Sequence, residues 1–146
     1  LGYLIANQEL IQMMEGLQAN MVICPAGFVQ RAGLAALQGS WEPVTSMAQE
    51  YERRVDYVVQ RLNALKGISC RKPEGAFYVW VDVSALCPSS IDFCNDLLEK
   101  KALITMAGKY FGQQGEGFVR LALVKSMDVL TEALDRMDSY INGLET

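Results

Sequence analysis

Apolar positions follow a helical rhythm in the first half of the chain and a mostly two-residue rhythm in much of the second. Residues 42–66 give the clearest helix, with Val44, Met47, Ala48, Tyr51, Val55, Val58, Val59, Leu62 and Leu65 on one face. Gly67 follows as a glycine that ends it, and at 1.5 Å per residue the helix would be roughly 35 Å long. Before it, residues 8–17 carry Leu10, Ile11, Met14 and Leu17 at helical spacing, and Pro25 suits the first turn of a second helix over 26–38. That helix is apolar nearly all round and so expects neighbours on several sides. Residues 1–6 are short and apolar and read as a buried strand or its end.

The later rhythm predicts strands at 68–71 and 76–83, joined by a Lys72-Pro73-Glu74-Gly75 turn. Ser89 or Ser90 caps a helix to Lys101, and 103–106 and 118–124 are two further strands. Ser126 caps a last helix with Leu130, Ala133, Leu134, Met137, Ile141 and Leu144 inward. The order β-β-α-β-β-α describes an α+β unit with an antiparallel or mixed sheet and packed helices. The division expected is 1–40, 41–66 as a long connecting helix, and 67–146.

Composition narrows the chemistry. The 146 residues are 51% hydrophobic and 21% charged, ordinary for a globular protein that can bury a core. A net charge of −4 without a basic stripe argues against nucleic acid. No apolar run approaches a membrane span, and residues 1–10 do not read as a signal peptide, so the expectation is cytoplasmic. There is no histidine, which removes Ser-His-Asp and Cys-His catalysis and the commonest metal ligand. Cys24, Cys70, Cys87 and Cys94 lack metal-site spacing and read as small hydrophobes; no metal is expected.

Four stretches in order carry a resemblance. Leu1-Gly2-Tyr3 is similar to the end of an R-x-G-Y segment, and Pro73-Glu74-Gly75-Ala76-Phe77-Tyr78 to a P-x-G-A-F-Y turn and strand. Ala107-Gly108 with Phe111-Gly112 resembles a P-G-x-x-F-G loop, with alanine where proline is usual. Gly117-Phe118-Val119-Arg120-Leu121-Ala122-Leu123 resembles a G-x-x-R-L-[SA]-[FL] strand. Together they resemble the C-terminal portion of class I/II (fold type I) aminotransferases that use pyridoxal phosphate.

The resemblance implies an α/β parent, with 1–40 ending its large cofactor domain and 67–146 forming its small domain. It implies amino transfer between an α-amino acid and a 2-oxo acid in a homodimer. It implies that Arg120 binds the substrate α-carboxylate. On the residues alone, Arg120 is either such an anion clamp or the partner of a buried Asp or Glu, since it cannot be left unpaired cheaply among apolar neighbours. No catalytic or cofactor-binding residue is expected in this chain. The Schiff-base lysine is expected upstream of Leu1, because Lys109 and Lys125 lack the preceding pattern, and the isolated chain is expected to be inactive. Gly75 and Gly108 are expected to permit turns, Phe77, Tyr78 and Trp80 to pack in the core, and Tyr3 to be a buried aromatic or to sit near the site. Glu74 and Asp82 are given no acid–base role. The same motifs also fit other fold-type-I pyridoxal-phosphate chemistry, a C–S lyase or synthase, or a non-catalytic interaction module.

Overall fold

The computed structural model describes residues 1–145, excluding the side chain of Glu145. The chain divides into two compact units, Leu1–Val44 and the remainder from Thr45.

In the first unit, α1 (Gln8–Met21) starts at Asn7, whose side-chain oxygen accepts from the Leu10 N–H at 2.9 Å. It runs a turn beyond the expected end, because Gln18, Ala19, Asn20 and Met21 contain no helix breaker. Helix α2 (Gly27–Gln38) begins two residues after Pro25, so the proline lies before the helix rather than in its first turn. Residues 1–6 form no strand, contrary to expectation, and Tyr3 and Ile5 are exposed. A strand needs a partner for its backbone, and none of the described residues offers one there. Neither α1 nor α2 buries a residue, although α2 is apolar nearly all round.

The longest helix, α3 (Glu42–Asn63), begins at the unit boundary and buries Val55, Val58 and Leu62. It stops three residues short of Lys66. The Asn63 side chain takes both backbone groups of Cys70, accepting from its N–H at 2.8 Å and donating to its carbonyl at 2.9 Å. Gly67, at φ +73°, then reverses the chain, and a side chain there would strike Leu86.

Four strands follow: β1 (Ser69–Cys70), β2 (Tyr78–Asp82), β3 (Met106–Ala107) and β4 (Phe118–Ala122). They form one antiparallel sheet in the order β1-β2-β4-β3, with Trp80 opposite Arg120 and Met106 on Arg120's other side. Strand β3 starts three residues later than its apolar pattern predicts. Ala102 caps α4 (Ser90–Lys101) in the left-handed region, and the Leu103 N–H is held by the Leu97 carbonyl, so the backbone leaves the helix before it can join the sheet.

Alternation divides the sheet's faces. Val79, Val81 and Val119 are buried in one core with α3, with Phe93 and Leu97 of α4, and with α5 (Met127–Asn142). The last helix contributes Leu130, Leu134, Met137, Tyr140 and Ile141, while Leu144 lies beyond it and is exposed. Ser89 caps α4 by accepting from the Asp92 N–H at 3.2 Å. All helices of this core lie on one side, so Tyr78, Trp80, Asp82, Phe118 and Arg120 occupy the sheet's other face.

Candidate functional site

Strand β4 carries Arg120 onto the open face by simple alternation: Val119 points into the core, and Phe118 and Arg120 point away. The guanidinium is half-buried and meets two rings. Its Cζ lies 4.2 Å from the ring centre of Tyr78 and 4.7 Å from that of Phe111. Among the described residues no carboxylate forms an ion pair with it, so the reading of Arg120 as the partner of a buried acid does not hold. The adjoining groove holds about 580 Å³ and is lined by Arg120, Tyr78, Trp80, Phe118, Arg71 and Glu74, among others.

The aromatic residues continue on either side of the arginine. Trp80 stacks on Phe118 at 5.9 Å and meets Phe111 edge-on at 5.4 Å. Tyr78 contacts Phe77 at 4.5 Å, which contacts Tyr51 of α3 at 5.6 Å. The expectation of core packing for Phe77, Tyr78 and Trp80 is therefore corrected. Val79 and Val81 take the core face of β2, leaving Tyr78 and Trp80 on the groove side. Tyr3 is exposed in the first unit, so the buried alternative for it fails as well.

Phe111 is delivered by a tight loop. Residues Gly108–Phe111 and Gln113–Gly115 form two 3-10 turns, and Gly108 lies so close to Gly115 that a Cβ on either would collide with the other's carbonyl. Ser90, fully buried, ties this loop to α4: its hydroxyl accepts from the Lys109 N–H at 3.3 Å, and its own N–H donates to the Glu116 carboxylate at 2.7 Å. Glu116 also accepts from the Gly117 N–H at 3.3 Å and pairs with Lys109 at 3.4 Å. These donors, led by the Ser90 N–H, hold its carboxyl down at about 2. Gly108 thus fits its expected role. Gly75 does not: a side chain there would meet nothing, and it is Ala76 that takes the left-handed conformation, at φ +65°.

Asp82 accepts from the Ser84 N–H at 2.9 Å and its hydroxyl at 2.6 Å, and Glu74 is exposed on the groove's edge. Lys109 is engaged with Glu116, and Lys125 is exposed on the segment after β4. Burial pushes the Cys70 thiol up to about 11 and raises that of Cys94, whose sulfur lies 3.1 Å from the Thr105 hydroxyl. All four cysteines are free. The contributions of Tyr78, Phe111 and Glu116 were not anticipated from the sequence. The available signals were the alternation of β2 and the aromatic position inside the P-G-x-x-F-G resemblance.

A guanidinium on rigid strand backbone, with no ion-pair partner among the described residues and beside a groove, is a site for a carboxylate or similar planar anion. The family model for aminotransferase class I and II matches residues 1–137, and the chain belongs to that family. It is similar to the aspartate aminotransferase of Pyrococcus horikoshii, 39% identical over 98% of this chain and 37% of that protein. It is 36% identical to aromatic-amino-acid aminotransferase 2 of Thermococcus litoralis, over 97% of this chain and 36% of that protein. The crystal structure of the aromatic aminotransferase from Pyrococcus horikoshii superposes with a TM-score of 0.89 at 32% identity, covering 96% of this chain and 38% of that one. The chain thus spans a little over a third of the length of these relatives.

Proposed function

We propose that this chain is the C-terminal part of an aminotransferase that uses pyridoxal phosphate to move an amino group between an α-amino acid and a 2-oxo acid. Arg120 grips the substrate's α-carboxylate. The carrying observation is the guanidinium on the open sheet face, free of any carboxylate among the described residues and bordering the groove. Two N–H donors on one edge match two carboxylate oxygens, and a strand position fixes the angle at which the substrate's Cα presents its hydrogen. Names of the relatives support amino transfer as the reaction.

When bound, pyridoxal phosphate supplies an electron sink for bond breaking at that carbon. Holding it takes a lysine amine and a cradle of donors for its phosphate. The residues here do not fit that role: the groove's lysine, Lys72, is ion-paired with Asp56, and Lys109 with Glu116. The cofactor's lysine is read as lying upstream of Leu1. What this chain does is bind and orient the carboxylate. In this reading residues 1–40 end the large domain, 41–66 connect, and 67–146 form the small domain of a cytoplasmic homodimer.

The test is turnover by the full-length protein supplied with pyridoxal phosphate and paired amino and oxo acids. The reading requires one new amino acid to form for each new oxo acid. Release of a thiol or of free ammonia instead would assign other chemistry of the same cofactor. No turnover by the full-length protein would leave a non-catalytic module. The 146-residue chain alone should give nothing above the free cofactor's background.

A further inference from the structure

A surface arginine near carboxylates ordinarily folds onto one of them, and the question is why Arg120 does not. Asp82, on the same face of β2, has one carboxylate oxygen, Oδ1, engaged by the Ser84 N–H and hydroxyl. Glu74, the other carboxylate lining the groove, is exposed at its edge and forms no ion pair with Arg120. What the guanidinium meets instead is two ring faces, Tyr78 at 4.2 Å and Phe111 at 4.7 Å. A ring attracts the cation through its π face, whereas the N–H donors lie in the guanidinium plane. Such contacts hold the charge without consuming the edge that a carboxylate needs.

The two rings come from separate elements, and each is braced. Tyr78 sits on β2 two residues from Trp80, the register partner of Arg120, and is backed by Phe77 and then Tyr51. Phe111 ends a turn that the Gly108–Gly115 approach and the Ser90 hydroxyl fasten in place. We infer that Tyr78 and Phe111 are positioning residues for Arg120, fixing its guanidinium over their ring faces so that its N–H edge stays open to a carboxylate. This rests on the proposed role of Arg120.

The test uses the full-length protein with its cofactor, and reads kcat, KM and, by calorimetry, the dissociation constant of 2-oxoglutarate as a carboxylate probe. Phe111→Leu and Tyr78→Leu should each weaken the probe and raise KM by about 3- to 30-fold, with kcat changed less. Phe111→Tyr and Tyr78→Phe, which keep a ring face, should stay within about twofold. In an Arg120→Met background the leucine substitutions should cost nothing further, because the group they position is gone. If Arg120→Met weakens the probe but the leucine variants do not, the positioning role is overturned and the clamp survives. Leucine effects that persist undiminished beside Arg120→Met also overturn it, as they would mark a structural role. If Arg120→Met itself leaves probe and KM unchanged, the clamp and the positioning role fall together.

Discussion

Replacing Gly108 by alanine isolates what the close approach of two backbones contributes. An added Cβ would collide with the Gly115 carbonyl and come within 2.7 Å of the Phe118 carbonyl oxygen. Both obstacles are backbone, and neither can rotate aside as a side chain would. Gly108 does not have a positive φ, so the cost is steric rather than conformational. Overpacking costs about 1–3 kcal/mol in general, and rigid neighbours put this case near the top of that range. If the loop moves instead, it strains the Lys109 N–H bond to Ser90 and the Ser90 N–H bond to the Glu116 carboxylate. The steric route alone gives about 3 kcal/mol. With a urea slope of about 1–3 kcal/mol per molar, the midpoint should fall by about 1–3 M. Trp80, in the same sheet, reports this unfolding by fluorescence once Trp41 is replaced by Phe. The control is Gly75→Ala, where a Cβ meets nothing and φ is not positive, and where stability should hold or rise by about 0.4–1 kcal/mol. A Gly108→Ala loss below about 1 kcal/mol, or equal losses at the two glycines, would refute the argument.

Two further predictions concern titratable groups. Glu116 ionises at about 2 in the fold against an ordinary 4.5, so its contribution is complete above about 4.5 and is lost as pH falls towards 2. Glu116→Gln should therefore lower the urea midpoint at pH 7 and make the acid decline between those values shallower; an unchanged acid limb would count against it. Cys24 is exposed while burial holds the Cys70 thiol near 11, so an aromatic disulfide reagent at pH 8 should modify Cys24 quickly and Cys70 only in urea. Equal labelling in the native protein, mapped by mass spectrometry, would contradict the burial.

Helices α3, α4 and α5 were legible because each has one apolar face at helical spacing. Phe93 and Leu97 show this for α4, and Leu130, Leu134, Met137 and Ile141 for α5. Residues 1–6 differ for the opposite reason, since an apolar run forms a strand only where another strand satisfies its backbone, and none of the described residues does so there. In β2 both alternating sets are hydrophobic, Val79 and Val81 on one side and Tyr78 and Trp80 on the other. Periodicity there gives the two faces without saying which is buried. Arg120 stood out through the motif around it, whereas the placing of the rings beside it depends on a cross-strand register and a 3-10 turn that local patterns alone do not set.

The central claim is that Arg120 holds a substrate carboxylate, and a comparison of substrates tests it most directly. Full-length protein carrying Arg120→Met would be assayed with an α-amino acid and with the amine that lacks only its carboxylate. Two charge-assisted hydrogen bonds of about 1.5–3 kcal/mol each predict a fall of about 10²- to 10⁴-fold in kcat/KM for the amino acid. The rate with the amine should stay as in the unmodified protein. Equal losses on both substrates, or no loss on the amino acid, would contradict the claim.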